Sequence, residues 1–125
     1  EYYNARTDHT YGSSLGPAIQ AIVACKAGRI EEAYQHFTNC AFSDLYDLRG
    51  NASDGIHGAS AGGLWQALVF GFAGIHLKET GFSIHPCLPA HWQCLKFNFT
   101  YQGKQHRVEI TRRADGYKVQ VNEKQ

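Results

Sequence analysis

A loop of small residues that runs directly into a long apolar segment constrains this sequence more than any other feature. Four glycines lie between positions 55 and 63, and the segment 64–75 is apolar at most of its positions. Glycine opens main-chain conformations closed to other residues and lets a ligand approach the backbone. A helix that is apolar on nearly every side is buried among other helices. The stretch therefore predicts a helix, ending near Gly81, inside a larger helical assembly.

His57 lies just ahead of this helix, which suggests an anion site. The first N–H groups of a helix have no partner within the helix, and the helix dipole favours negative charge there. A second helix start is predicted at Ser13 and Ser14, because serine is a good N-cap and Pro17 suits the first turn. If both helix starts face one cavity, hydroxyls, N–H groups and an imidazole could together hold phosphate without a metal.

Each of these features also has a purely structural interpretation. A serine before a helix is usually only a cap, and glycines before a helix usually form only a turn. A lone histidine is more often a hydrogen-bonded core residue than a catalyst. Asp54 is the only neighbour in sequence that could orient His57. The residues alone leave the structural and the ligand-binding interpretations both open.

The spacing of the apolar residues changes once along the chain, from a helical period to strict alternation. Helices are expected from Ser13–Ser14 to Gly28 and from about Ile30 to Asp44, joined as a hairpin. The apolar stripe of the first helix is Leu15, Ala18, Ile19, Ile22 and Val23. After Gly81 apolar and polar residues alternate, with a turn at 102–104 and a hairpin at 115–116. These patterns predict an α+β fold with helices in residues 1–80 and a small antiparallel β domain in residues 81–125.

Composition and charge narrow the classes of function. The net charge is +1 and the basic residues cluster only at Arg112 and Arg113, so neither nucleic acid nor a membrane is an expected partner. Four cysteines without a Cys-x-x-Cys pair favour reduced thiols in a cytoplasmic compartment. The seven histidines show no zinc-site spacing, so no metal is expected. The absence of a Gly-x-Ser-x-Gly motif argues against Ser13 or Ser14 as a nucleophile.

Several short motifs occur along the chain in a characteristic order. They are Tyr2-Tyr3, Arg6-Thr7, Ser13-Ser14-Leu15, an Ala-Tyr pair followed by Phe37, Asp44-Leu45, Asp54-Gly55-Ile56-His57, Gly62-Gly63-Leu64-Trp65, Gly71-Phe72-Ala73-Gly74, and Leu88-Pro89 before Trp92. Together they resemble the C-terminal part of glycoside hydrolase family 65, which includes maltose, trehalose and kojibiose phosphorylases and acid trehalases. The resemblance covers almost the whole chain.

The resemblance implies the last helices of an (α/α)6 barrel followed by the C-terminal β domain of a larger enzyme. The family's general acid is a glutamate in the barrel, and no position here matches it. We therefore expect it upstream of Glu1, and we expect the isolated chain to be inactive. In the family's phosphorylases the serine pair and the histidine line the phosphate site, which here implies Ser13, Ser14 and His57. The serine pair departs from the family's Ser-Ser-Leu-Ser pattern in having Gly16 at its fourth position.

The implied reaction is phosphorolysis of an α-linked glucoside, such as maltose, trehalose or kojibiose, with inversion. Inorganic phosphate is the co-substrate, and no cofactor is required. The competing enzyme activity is inverting hydrolysis, which needs a second carboxylate about 6.5–9.5 Å from the acid, and Asp54 is the candidate for that base. A third alternative is a structural or carbohydrate-binding piece. The expected partners are the glucoside, phosphate and the rest of the barrel, and a homodimer of the full enzyme is a further possibility.

Overall fold

The computed structural model describes Tyr2, Arg6 and residues 15–124 of the 125-residue chain. Helices occupy the first part of this range and antiparallel strands the second, so the predicted α+β class is confirmed. The elements are α1 (Gly16–Lys26), α2 (Ile30–Ala41), a 3₁₀ turn (Ala52–Asp54), α3 (Gly58–Gln66), a π-helical segment (Ala67–Phe72) that continues α3, β1 (Ile75–Lys78), β2 (Gly81–Ile84), β3 (Cys94–Tyr101), β4 (Lys104–Arg113) and β5 (Gly116–Lys124).

Helix α1 begins one residue later than a serine cap would require. Leu15 occupies the N-cap position without a side-chain cap, and Pro17 lies in the first turn as predicted. The prediction of a serine N-cap is therefore wrong. Ser13 and Ser14 themselves lie outside the described residues.

Gly28 ends α1, as predicted. It has φ +72°, which places it in the left-handed region that favours glycine. Its N–H donates to the carbonyl oxygen of Cys25 at 3.0 Å, and the N–H of Arg29 donates to that of Ala24 at 2.9 Å. This pair of bonds is the Schellman arrangement, and it turns the chain directly into α2 to form the predicted hairpin.

The buried face of α1 consists of small residues, and Ala18 is the one member of the predicted apolar stripe that is fully buried. Ala18, Ala21 and Ala24 are at most 2% exposed. Ile19 and Val23, which we expected to be inside, are 44% and 56% exposed. The small side chains bring α1 close to α2 and α3, and this packing turns the larger apolar side chains outward.

The third helix ends at Phe72 rather than near Gly81. Gly74 has φ +65°, and a Cβ at this position would overlap the carbonyl oxygen of His85. Ile75 then enters β1, where it pairs with Ile84 of β2. The turn of the β1–β2 hairpin therefore includes position 80. The division of the chain into two domains at that position remains a prediction.

Strands β3, β4 and β5 form an antiparallel sheet in that order, as the alternating pattern predicts. The two sheets are joined by the hydroxyl of Tyr101, which donates to the carbonyl oxygen of Lys78 at 2.6 Å and accepts from the N–H of Gly81 at 3.1 Å. One buried cluster connects the helices to the strands. Its largest members are Val69, Phe72, Ile75, Leu88, Phe99, Val108 and Ile110.

The helical part exposes several large apolar side chains. They are Ile19, Val23, Leu45, Tyr46, Leu48, Ile56 and Trp65, each 44% exposed or more. In the described part of the chain, no helix combines the length and apolar character needed to cross a membrane.

Candidate functional site

His57 occupies the N-cap of α3, which confirms that this imidazole directly precedes the helix. Its carbonyl oxygen accepts the N–H of Ser60 at 2.9 Å and so closes the first turn. The side chain is 20% exposed and therefore reaches solvent at the start of the helix. Among the described residues, no atom lies within 4 Å of where a Cβ of Gly58 or Gly62 on the same helix would lie. The start of α3 thus presents a partly exposed imidazole.

The residue that orients His57 is Asp44, thirteen positions upstream. One carboxylate oxygen of Asp44 accepts the main-chain N–H of His57 at 2.8 Å, and the other bonds the ring nitrogen Nδ1. Helix α2 ends at Ala41 instead of continuing to Asp44, and the turn after it aims this carboxylate at the start of α3. Asp54, the one candidate among the sequence neighbours of His57, is therefore not the residue that the structure pairs with the ring. Asp54 is an exposed residue of the 3₁₀ turn, and its role as a base in hydrolysis remains a prediction.

The second ring nitrogen of His57 also has a partner. The side-chain amide of Asn51 lies 3.2 Å from Nε2. Because a carboxylate only accepts hydrogen bonds, Nδ1 carries a proton, and in the neutral ring Nε2 is left as the acceptor for the amide. The loop that carries Asn51 is braced by Asp47, whose carboxylate accepts the N–H of Ala52 at 2.9 Å.

The hydrogen bonds from His57 change the titration of Asp44. The ring bond first and the main-chain N–H second hold the pKa of this carboxyl below its ordinary value of 3.8. Hydrogen bonds to the charged form of a carboxyl favour that form, so Asp44 is ionised at neutral pH. The negative charge next to Nδ1 therefore persists over the physiological range.

The start of α1 lies against α3. A Cβ on Gly63 would be 2.7 Å from the Cβ of Ala18 and 2.7 Å from Cδ1 of Leu15, so the helices touch where residue 63 lacks a side chain. Leu15 is the residue that directly follows Ser14 in the chain. Because the serine pair lies outside the described residues, its convergence with His57 remains a prediction.

Trp92 and three of the four cysteines lie in structural surroundings. Trp92 packs its ring 5.0 Å from that of Phe72 and 5.7 Å from that of Phe37, at the junction of helices and sheet. The four cysteines, all within the described part of the chain, form no disulfide with one another, and Cys94 is the exposed one among them. Within residues 15–124 together with Tyr2 and Arg6, no three His, Cys, Asp or Glu side chains are grouped closely enough to hold a metal ion.

Comparison with family models assigns the two parts of the chain to two domains of one family. Residues 1–66 match the glycosyl hydrolase family 65 central catalytic domain, and residues 75–124 match the family's C-terminal domain. The chain belongs to glycosyl hydrolase family 65.

The proteins similar to this chain include several phosphorylases. The chain is 40% identical to the α,α-trehalose phosphorylase of Geobacillus stearothermophilus over 87% of its length, and 43% identical to the kojibiose phosphorylase of Thermoanaerobacter brockii over 90%. A solved structure titled "Putative kojibiose phosphorylase from human microbiome" superposes on 99% of the chain with a TM-score of 0.84 and 30% identity. The chain spans only 14% of the two relatives and 16% of that structure.

Proposed function

We propose that this chain is the C-terminal part of a phosphorylase of α-linked glucosides, and that it contributes the phosphate-binding side of the active site. The observation that carries the proposal is His57 at the N-cap of α3, held at Nδ1 and at its main-chain N–H by Asp44. The similarity to trehalose and kojibiose phosphorylases supports the reaction class.

In the proposed reaction, an upstream carboxylic acid protonates the oxygen of the leaving sugar. A phosphate oxygen attacks the anomeric carbon from the opposite face, so the bond to the leaving oxygen breaks as the bond to phosphate forms. The product is glucose 1-phosphate with inverted configuration. Phosphate is already a nucleophile, so a second carboxylate is needed only for the competing hydrolysis, in which water must be activated.

Within this reaction, the chain's own residues position phosphate. Hydroxyls of Ser13 and Ser14 would donate hydrogen bonds to its oxygens. Nε2 of His57 would accept a hydrogen bond from a phosphate hydroxyl or, once protonated, donate one to a phosphate oxygen. The contact of Leu15 with α3 supports this arrangement, because it brings the residue after the serine pair to the helix that His57 starts.

The exposed apolar side chains support a position within a larger barrel. Ile19, Val23 and Trp65 lie on α1 and α3 and are each at least 44% exposed. Ile19 and Val23 are four residues apart on α1 and so share a face, and exposed apolar side chains that group together commonly mark an interaction surface. We propose that the preceding part of an (α/α)6 barrel covers it. We also propose a reducing, cytoplasmic location for the whole enzyme, in keeping with four cysteines that form no disulfide with one another.

The experiment is a product analysis with the full-length enzyme. Trehalose, kojibiose and maltose are each incubated with inorganic phosphate, and glucose 1-phosphate and free glucose are quantified. We expect glucose 1-phosphate from at least one disaccharide in an equimolar ratio to the released sugar. A reaction with sulfate in place of phosphate is the matched control and should yield no sugar 1-phosphate. Free glucose released at the same rate with and without phosphate would exclude phosphorolysis.

A further inference from the structure

The two carboxylate oxygens of Asp44 bond two different groups of His57. Oδ2 accepts the main-chain N–H at 2.8 Å, and Oδ1 bonds ring nitrogen Nδ1. The first contact fixes the backbone where α3 begins, and the second fixes the ring relative to that backbone. Rotation of the imidazole about its Cβ–Cγ bond would break the second contact, so the ring has one orientation.

This arrangement leaves a single ring nitrogen for a ligand. Nδ1 is committed to Asp44 and carries its proton, so only Nε2 can exchange hydrogen bonds. Nε2 currently lies 3.2 Å from the amide of Asn51, which shows that polar groups reach it. An anion at this nitrogen would replace the Asn51 contact with one from a phosphate oxygen or hydroxyl.

We infer that Asp44 is a positioning residue for phosphate, acting through His57. The inference rests on the proposed function. Without the carboxylate, the proton of the neutral ring could lie on either nitrogen and the ring could turn, so Nε2 would meet phosphate only part of the time. Asp44 is bonded to Nδ1, whereas the proposed phosphate lies at Nε2, and its negative charge would repel an anion, so its effect on phosphate is exerted through the ring.

A neighbouring carboxylate provides a matched control. Asp47 lies in the same loop and also accepts a main-chain N–H, that of Ala52 at 2.9 Å. Its replacement by asparagine changes the loop's charge and hydrogen bonding as the replacement of Asp44 does, but it leaves the bonds to His57 in place. The two variants therefore separate positioning of the imidazole from general integrity of the loop.

The test compares full-length wild type, Asp44→Asn and Asp47→Asn in the phosphorolysis assay. We expect Asp44→Asn to raise the KM for phosphate about tenfold or more, since a hydrogen bond to a charged group is lost, and to change the KM for the disaccharide by less than about twofold. Asp47→Asn should leave both KM values within about twofold. Equal increases for both variants, or no increase for Asp44→Asn, would overturn the inference.

A double-mutant cycle shows whether Asp44 acts through the imidazole. In a His57→Ala background, Asp44→Asn should cause no further increase in the phosphate KM, because the group that it positions is absent. A further increase of the same size as in the wild-type background would overturn the inference. If Asp44→Asn does not fold, Asp44→Glu retains the charge but displaces it by one methylene. We expect Asp44→Glu to raise the phosphate KM too, and an unchanged value would overturn the inference.

The two proposals fail in different ways. If wild type forms glucose 1-phosphate while Asp44→Asn has an unchanged phosphate KM, only the role of Asp44 is wrong. If wild type releases free glucose independently of phosphate, the proposed function is wrong and the role of Asp44 fails with it.

Discussion

Gly63 on α3 lies so close to Ala18 on α1 that no side chain fits between the helices. A Cβ on residue 63 would be 2.7 Å from the Cβ of Ala18. The same position would be 2.7 Å from Cδ1 of Leu15, at the N-cap of α1. The approach of the first helix to the helix that His57 starts therefore depends on a glycine.

Replacing Gly63 by alanine should destabilise the enzyme. The added methyl overlaps two side chains, one of which is a rigid Cβ attached to the backbone of α1, so the helices must separate. Overpacking of this kind costs about 1–3 kcal/mol. The measurement is the thermal unfolding midpoint of the full-length enzyme, which should fall. The phosphate KM should rise in the same variant, because the start of α1 moves away from α3.

Gly62→Ala is the matched control for this prediction. Residue 62 lies in the same helix, and no atom of the described residues comes within 4 Å of its Cβ position. Alanine is favoured over glycine inside a helix by about 0.5–1 kcal/mol, so the midpoint should stay the same or rise. A fall in both variants would show that the helix, rather than its contact with Ala18, is sensitive to the change.

Arg112→Lys should loosen the attachment of the segment between β2 and β3 to strand β4. The guanidinium donates from Nη2 to the carbonyl oxygens of Leu88 and Pro89 at 2.7 and 2.8 Å, and from Nε to that of Trp92 at 3.2 Å. A lysine ammonium lacks the planar fork that reaches all three. We expect a loss of about 1–3 kcal/mol in unfolding free energy, measured by denaturant unfolding of the full-length enzyme. Arg113→Lys, at the exposed neighbour, should change it little.

The lowered pKa of Asp44 predicts a pH dependence of stability. Since the folded-state pKa lies below the ordinary value of 3.8, the stabilisation is fully present above pH 3.8 and is lost as the pH falls through the folded-state pKa. The difference in urea midpoint between wild type and Asp44→Asn should therefore be constant above that pH and shrink below it. A difference that grows on acidification would contradict the sign of the shift.

The isolated chain of 125 residues should have no turnover. The acid that protonates the leaving oxygen is expected in the preceding part of the barrel, so neither glucose 1-phosphate nor glucose should form. The assay is run with the purified chain at the concentration at which the full-length enzyme is active. Activity of the isolated chain would mean that the acid is among its own carboxylates, and Asp54→Asn would then be the first variant to examine.

Sequence patterns predicted those helices and strands whose ends depend on residues close by in the chain. The alternation of Leu95, Phe97 and Phe99 predicted strand β3, and Gly28 marked the end of α1. The apolar run from 64 to 77 could not reveal that the helix ends at Phe72, because a buried helix and a buried strand are equally apolar. That end depends on the contact of Gly74 with the main chain of His85, which only the folded chain brings together.

The candidate site shows the same limit. The position of His57 ahead of a helix could be predicted from the glycines and the apolar run that follow it. Its partner Asp44 could not, because thirteen residues and a turn separate them and nothing local distinguishes Asp44 from Asp47 or Asp54. The resemblance to the family included the Asp44-Leu45 motif, but it assigned no role to that carboxylate.

The most direct test of the account is a crystal structure of the full-length enzyme with inorganic phosphate bound. The decisive quantities are the distances from the phosphate oxygens to Nε2 of His57 and to the hydroxyls of Ser13 and Ser14. We predict that all three fall within hydrogen-bonding range, about 2.5–3.2 Å, while Asp44 retains its contacts with His57. A phosphate ion bound in the active site without contact to His57, or serines on the far side of α1 from it, would contradict the account.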